Sequence, residues 1–139
     1  MEIRLFTESD RQATIELWEA CDLTRPWNNP NKDINRKLNF QSNLFFVGEI
    51  DSKLIASAMA GYDGHRGSVF YLAIHPEYQG QGLGRQLMNH VETALIKLDC
   101  PKLNIIIRST NTSVLQFYQT LEYTSDDVAS IGKRLIPDN

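Results

Sequence analysis

The sequence predicts an α/β (α+β) fold built on a mixed β-sheet with helices on both faces. Segments with strand and helix periodicity follow one another in the order β-α-α-β-β-β-α-β-α-β. Short turns rich in Asp, Ser and Gly join the three central strands, which predicts antiparallel hairpins. A helix joins the last of these strands to the next one, which predicts a parallel pair formed by a right-handed crossover.

The first elements follow from periodicity and capping residues. Residues 3–6 alternate like a strand, and the polar side chains of 7–10 predict the start of a helix that runs to about Ala20. Residues 22–31 hold two prolines and three asparagines, which predicts a loop. Apolar side chains at residues 34 and 38 then predict a short second helix.

Apolar strands dominate the middle of the chain. Residues 44–50 and 54–60 flank Asp51-Ser52-Lys53 and predict one hairpin, and a second hairpin runs through residues 63–67 into a strand over 68–74. The remaining predicted elements are a helix over 83–98, a strand over 103–107, a helix over 111–121 and extended chain from Tyr123.

Composition limits the classes of function. The 139 residues carry 14 basic and 17 acidic side chains, a net charge of -3, and this length fits one domain over residues 1–139. Nucleic-acid binding needs clustered Lys and Arg, so we expect no such partner. No apolar run reaches the length of a membrane span, so we expect a cytoplasmic protein without a membrane partner. His75 and His90 lack acidic or cysteine neighbours at ligand spacing, so no metal site is predicted.

The strongest chemical signal is the segment Gln79-Gly80-Gln81-Gly82-Leu83-Gly84-Arg85, between a strand and a helix. Inside a helix each glycine costs roughly 0.5 to 1 kcal/mol relative to Ala, so three glycines in five residues need a reason. A backbone without side chains exposes its N–H groups, and the start of a helix adds a partial positive charge. Phosphate is therefore the predicted ligand. Arg85 adds a side chain suited to bidentate contact. The alternative is a tight turn that binds nothing.

Two common phosphate motifs fit this segment poorly. The P-loop needs Gly-x-x-x-x-Gly-Lys followed by Ser or Thr, and no such run is present. The dinucleotide fingerprint Gly-x-Gly-x-x-Gly would place Arg85 at its third glycine, and residues 75–79 separate the strand from the first glycine. A nicotinamide dinucleotide therefore stays a weaker alternative.

The motif that fits is Q/R-x-x-G-x-G/A, met by Gln79, Gly82 and Gly84. Residues 74–78 before it and 111–118 after the next strand follow the matching order and spacing. In these residues, and over nearly its whole length, the chain resembles the GNAT acyltransferase superfamily.

Three further stretches, 25–28, 61–67 and 132–135, resemble most closely the small bacterial YpeA-type branch of that superfamily. The resemblance implies a sheet of six to seven strands with a splayed V between the fourth and fifth. It also implies an acetyl-CoA-dependent N-acetyltransferase that transfers an acetyl group to a primary amine of a small molecule, peptide or protein. A non-catalytic acyl-CoA-binding module or sensor is the alternative function.

Acetyl-CoA is the cosubstrate that the resemblance places in the V. Main-chain groups of Leu72, Ala73 and Ile74 would pair with the pantetheine arm like an added strand. The glycine-rich segment would hold the pyrophosphate through its N–H groups. Asn111 resembles the family's side-chain contact to the cofactor, and it is also suited to cap the following helix.

Catalysis of acetyl transfer needs a proton for the departing thiolate and removal of a proton from the amine. Tyr118 matches the family's tyrosine acid, and the alternative is a core tyrosine at helical spacing. A related group that acetylates ribosomal proteins carries a glutamate base where this chain has Ile106. Asp63 and His65, in the second hairpin turn, are the candidate bases, with turn residues or a water chain as the alternatives.

The acceptor is expected to contact the loop over 22–31 and the short helix after it. Trp27 would stack on the acceptor, while Asp22 and Asp33 would attract a cationic amine. Solvated carboxylates and a Trp that covers the core edge are the alternatives. The oligomeric state is not readable from the sequence, although the resemblance is compatible with a homodimer.

Overall fold

Five strands form one mixed sheet in the computed structural model, which describes residues 1–138. The strands are β1 (Glu2–Leu5), β2 (Phe45–Ile50), β3 (Lys53–Tyr62), β4 (Gly67–Ile74) and β5 (Leu103–Asn104). They lie in chain order, antiparallel from β1 to β4 and parallel between β4 and β5. The helices are α1 (Arg11–Ala20), α2 (Pro30–Leu38), α3 (Leu83–Lys97) and α4 (Thr112–Thr120). The predicted α/β class with a mixed sheet is confirmed.

Contacts divide the chain into two compact units, residues 1–104 with Asp138, and residues 105–137. The sheet and α1 to α3 belong to the first unit, and α4 belongs to the second. The assignment of one domain to residues 1–139 stays a prediction. No helix within residues 1–138 has the length and apolarity needed to cross a bilayer.

Helices cover both faces of the sheet because its strands alternate apolar side chains in both directions. On one face, Phe45 of β2 belongs to a buried cluster with Trp18 of α1 and Ile34 of α2. On the other face, the next residue, Phe46, meets the ring of His90 on α3 edge-on, with centroids 4.7 Å apart. The predicted placement of helices on both faces is therefore confirmed.

The strand count differs from the prediction. The strand predicted over 103–107 is only two residues long, and no strand follows Tyr123 within the described residues, so the sheet has five strands and not six to seven. Pairing between β4 and β5 covers only Gly67 with Leu103 and Ser68 with Asn104. Strand propensity depends on a neighbouring strand, so the apolar side chains of 105–107 do not by themselves form one.

A bulge interrupts β4 at Tyr71. Opposite β3, Ser57 pairs with Ala73 while Met59 pairs with Phe70, so β4 contains one extra residue. Tyr71 has φ of 53°, in the left-handed region that non-glycine residues rarely adopt. This bulge lies in the part of β4 beyond its two-residue pairing with β5.

Candidate functional site

A cleft of about 610 Å³ opens beside the bulge, and α2 forms one wall of it. The helix contributes Asp33, Arg36, Lys37 and Phe40, the last from the residues just beyond its end. These positions are spaced i, i+3, i+4 and i+7, so they share one face of a helical path. The helix begins at Pro30 because Asn29 caps it, its side chain accepting a hydrogen bond from the N–H of Lys32 at 3.1 Å.

The other walls of the cleft come from the sheet and from the loop before α2. Met59 of β3 and Phe70 and Tyr71 of β4 supply an apolar and aromatic surface. Leu23 and Asn28 line the cleft from the loop. The arrangement suits a ligand with an apolar part and a few charged or polar groups, as small-molecule sites commonly do.

Tyr71 links this cleft to the buried core. Its hydroxyl donates a 2.6 Å hydrogen bond to Asp33 Oδ2, and its ring stacks on Trp18 with centroids 3.8 Å apart. Its carbonyl accepts from Ser57 Oγ at 2.8 Å, and Ser57 Oγ accepts from Trp18 Nε1 at 2.9 Å. Burial, followed by the hydrogen bond to Asp33, raises the pKa of the Tyr71 phenol well above its ordinary value. The phenol therefore stays a donor throughout the physiological pH range.

The charges on α2 differ in how they are compensated. Arg36 makes two hydrogen bonds to the buried carboxylate of Asp138, at 2.7 and 2.8 Å, and lies 3.5 Å from Asp33. Lys37 is only 8% exposed, and its ammonium donates to the carbonyl of Ala60. Burial lowers the pKa of Lys37 because the charged form loses hydration.

The glycine-rich turn has two kinds of glycine. Gly80 and Gly82 have φ of 78° and 79°, so the turn itself requires glycine at both positions. Gly84 lies in the first turn of α3 without a positive φ, so backbone conformation does not explain it. The start of α3 has no side-chain cap and no acidic residue in its first turn, which leaves its N–H groups available to an anion.

The side chain of Gln79 has a structural contact. Its Nε2 donates to the carbonyl of Ile74 at 2.9 Å, and the thiol of Cys21 donates to the same oxygen at 3.3 Å. Gln79 therefore closes the turn after β4. Since the Ile74 carbonyl already accepts two hydrogen bonds, it is a poorer partner for an added strand than the groups of Leu72 and Ala73.

Asp63 and His65 lie in the exposed β3–β4 turn. Asp63 Oδ1 accepts from the N–H groups of His65 and Arg66, both at 2.8 Å. These hydrogen bonds lower the pKa of the Asp63 carboxyl, and the bond from the N–H of Arg66 has the largest effect. His65 is six residues before Tyr71, or about 20 Å along the chain. The contacts favour the turn-residue alternative for Asp63, and His65 has an exposed side chain in the same turn.

The loop over 22–31 does line the cleft, but its predicted contact residues lie outside the lining. The side chain of Asp22 is 95% exposed and pairs with Arg25 at 3.5 Å. Trp27 is 51% exposed. Asp33, the other carboxylate predicted to attract an amine, is the one that the cleft contains.

In the second unit, Asn111 and Tyr118 belong to α4. Asn111 caps the helix, its side chain accepting from the N–H of Val114 at 3.4 Å. Tyr118 is buried and meets the rings of Phe117 and Tyr123 edge-on. Burial raises the pKa of its phenol well above the ordinary value. The described residues give its hydroxyl no hydrogen-bond partner.

The family model described as "Acetyltransferase (GNAT) family" matches residues 3–123. The chain belongs to this GNAT family. It is therefore an acetyl-transferring enzyme, as its relatives' names also indicate. An acetyltransferase of Pectobacterium atrosepticum is 48% identical over 138 residues, which cover 99% of this chain and 98% of the relative. A Yersinia pestis acetyltransferase is 49% identical with the same coverage.

The fold is also shared with solved GNAT structures. The PaiA N-acetyltransferase of Thermoplasma acidophilum, solved in complex with coenzyme A, superposes with a TM-score of 0.79. It is 21% identical, and the match covers 92% of each chain. At this identity the likeness establishes the GNAT fold.

Sequence reasoning missed several residues that line the cleft, above all Tyr71, Arg36 and Lys37. The helical spacing of 33, 36, 37 and 40 was a signal for the α2 residues, because it places them on one face. Lys37 resembles a solvated surface lysine in sequence, and only the structure shows its burial. Tyr71 has no local signal, since its role depends on the bulge.

Proposed function

We propose that this GNAT protein is an acetyl-CoA-dependent N-acetyltransferase that acts on a primary amine of a small molecule or a peptide. The observation that carries the proposal is the position of the cleft beside the bulged part of β4. In that part the strand has left its pairing with β5 after Ser68. An added strand-like ligand and an amine in the cleft would therefore meet at Tyr71 and Leu72.

Acetyl-CoA would be held by the backbone around the glycine turn. We infer that Leu72 and Ala73 pair with the pantetheine amides and that the uncapped start of α3 holds the pyrophosphate. Arg85 adds positive charge at that helix start. In this assignment Gly80 and Gly82 shape the turn, and Gly84 permits close approach of a phosphate. Asn111 stays a proposed side-chain contact to the cofactor, in addition to its role as the cap of α4.

The reaction joins the amine nitrogen to the acetyl carbon and breaks the bond from that carbon to sulfur. Tyr118 is the proposed donor to the departing sulfur. Because its pKa is raised, the phenol keeps its proton, and a thiol has an ordinary pKa of about 8.5. Full transfer of the proton would then be uphill, so the support is for a hydrogen bond that stabilises developing negative charge.

Loss of a proton from the amine is the second requirement. Asp33 is the carboxylate in the cleft, and we propose that it orients the amine, with the proton leaving to water. Asp63 and His65 were the bases proposed from sequence. Because Asp63 is engaged in the contacts of an exposed turn, these two residues are supported less than a water chain.

The decisive experiment follows free thiol release from acetyl-CoA in the presence of a panel of primary amines, amino acids, polyamines and peptides. Thermal stabilisation by coenzyme A is measured on the same protein. We expect stabilisation together with amine-dependent thiol release. Stabilisation without release by any amine would support the non-catalytic module, and stabilisation by a nicotinamide dinucleotide alone would contradict both functions.

Replacing Tyr118 by Phe tests the proposed donor. We expect kcat to fall by about 10- to 100-fold, because a donor to developing charge contributes roughly 1.5 to 3 kcal/mol. The KM for acetyl-CoA should change little. Tyr62→Phe is the matched control, since its hydroxyl bonds only the carbonyl of Asp99 among the described residues. An unchanged kcat in Tyr118→Phe would remove the role of this residue.

A further inference from the structure

The helix face that lines the cleft carries three charges, and one of them is already matched. Arg36 is bound by both oxygens of Asp138, whose side chain is 2% exposed. A bidentate pair of this kind is the strongest form of charge-assisted hydrogen bond. Its charge is therefore satisfied by Asp138. Asp33 has a longer ion pair of 3.5 Å with the same guanidinium, and Asp33 and Lys37 are the two charges that we assign to a ligand.

Lys37 is a buried ammonium without an acidic partner. Its side chain is bound to the carbonyl of Ala60, and no carboxylate of residues 1–138 forms an ion pair with it. A buried charge normally costs stability unless an opposite charge or several hydrogen bonds accompany it. An ammonium has three N–H donors, and the carbonyl uses one. Lys37 is among the residues that line the cleft, so an anionic group bound there would be placed to complete the contacts of this ammonium.

Asp33 supplies the opposite charge one helical turn earlier. It is held by the hydroxyl of Tyr71 at 2.6 Å, which fixes the carboxylate near the bulge of β4. Residues i and i+4 of a helix have Cβ atoms about 5 to 6 Å apart. The two side chains therefore start from neighbouring positions on one helix face, an arrangement suited to a compact molecule that carries an ammonium next to a carboxylate.

The rest of the cleft determines what else the molecule carries. Met59, Phe70 and Phe40 line it with apolar surface, and Phe40 and Phe70 are each at least half exposed. Exposed aromatic side chains beside a polar pair are suited to cover an apolar side chain. A long polyamine would leave Lys37 facing another cation, and like charges repel.

We propose that the acceptor is a free amino acid with an apolar or aromatic side chain, its amine at Asp33 and its carboxylate at Lys37. This inference rests on the proposed acetyl transfer and adds the class of acceptor to it. The product is the N-acetyl amino acid with free coenzyme A. The amine gives up one proton to solvent on losing its positive charge, and the second proton lost from nitrogen ends on the thiol.

The test compares each amino acid with its amide, which keeps the side chain and the amine and loses only the carboxylate charge. L-Phenylalanine with L-phenylalaninamide, and L-leucine with L-leucinamide, are the pairs. We expect kcat/KM to be at least about tenfold higher for the free acids, which is the factor that one charge-assisted hydrogen bond provides. The amides have the less basic amines, so amine ionisation alone would favour them.

Lys37→Met tests whether the preference for the free acid over the amide depends on the Lys37 side chain. We expect it to raise the KM for L-phenylalanine about tenfold with little change in kcat, while the amide is unaffected. Lys37→Arg should keep the preference because it keeps the charge. Lys32→Met is the matched control, since Lys32 is exposed on the same helix and lies outside the cleft lining. This control should leave the ratio of acid to amide unchanged.

The outcomes distinguish a wrong acceptor class from a wrong assignment of acetyl transfer. If the amides are acetylated as well as the acids, or better, a neutral amine or peptide N-terminus is the acceptor class, and this inference is overturned while acetyl transfer stands. If no amine of the panel releases thiol, the acetyltransferase assignment itself fails. Should Lys37→Met not fold, the comparison of acid with amide on the unaltered enzyme still decides the matter.

Discussion

At the scale of single residues, Ser57 joins the core to the candidate site. Its hydroxyl accepts from Trp18 Nε1 and donates to the carbonyl of Tyr71, so both polar groups are satisfied through one atom. Buried donors and acceptors that lose a partner cost about 1 to 3 kcal/mol. The same hydroxyl therefore supports the stability of the protein and the shape of the bulge.

Ser57→Ala should lower the free energy of unfolding by about 1 to 3 kcal/mol, because two buried groups lose their partner. It should also lower kcat, since the Tyr71 carbonyl is no longer fixed. Urea unfolding and thiol release measure the two effects. Ser125→Ala, at an exposed position, should change neither. Full activity in a destabilised Ser57→Ala would show that the bulge does not depend on this hydroxyl.

At the scale of elements, the start of α3 combines a turn that needs glycine with a helix that does not. Gly82 precedes the helix with a left-handed φ, whereas Gly84 is within the first turn. A Cβ at Gly82 would meet no atom within 4 Å, so its constraint is the backbone angle. Stability and cofactor binding can therefore be separated by two substitutions.

Gly84→Ala should leave stability unchanged or raise it by up to about 1 kcal/mol, because Ala is the better helix former. If the proposed phosphate contact exists, the KM for acetyl-CoA should rise about tenfold, because a methyl group would obstruct the close approach of the phosphate to the backbone. Gly82→Ala should instead lower stability by about 1 to 2 kcal/mol. Gly132→Ala, in open surroundings, is the control. An unchanged KM in Gly84→Ala would argue against phosphate contact there.

At the scale of the whole molecule, pairs of charges join parts of the chain that are distant in sequence. Arg4 of β1 binds Asp10 just before α1 and also binds Glu49 of β2. Arg36 and Asp138 are separated by 102 positions. The hydrogen bonds from Arg4, the largest influence, hold the pKa of the Asp10 carboxyl below its usual range.

Asp10→Asn should lower the free energy of unfolding by about 1 to 3 kcal/mol at neutral pH. Because the folded-state pKa is depressed, the contribution of Asp10 is present above the unfolded value of about 4 and is lost as pH falls through the folded value. The difference between the two proteins should thus be constant from about pH 8 to 5 and shrink below about pH 4. Urea unfolding across this range measures it, with Asp127→Asn as the exposed control. A difference that is independent of pH would contradict the ion pair.

Local sequence patterns were enough to predict much of this fold. The first hairpin could be predicted because two apolar runs flank the polar residues Asp51-Ser52-Lys53. The structure adds that Asp51 and Ser52 both have left-handed φ in this turn. The length of β5 was not readable, since it depends on how far β4 accompanies it. In the site, Asp33 could be predicted from its place after the loop. The burial of Lys37 and the bulge at Tyr71 arise from tertiary packing and have no local pattern.

The bulge at Tyr71 has a consequence for redesign of this enzyme. A glycine there would relieve the left-handed backbone, yet it would remove the ring from Trp18 and the hydroxyl from Asp33. Selection for a new acceptor therefore cannot change this position without a loss of core packing. Phe40 and Phe70 line the cleft but are not needed for core packing, because each is at least half exposed. Libraries aimed at altered specificity should diversify these two positions and leave the bulge alone.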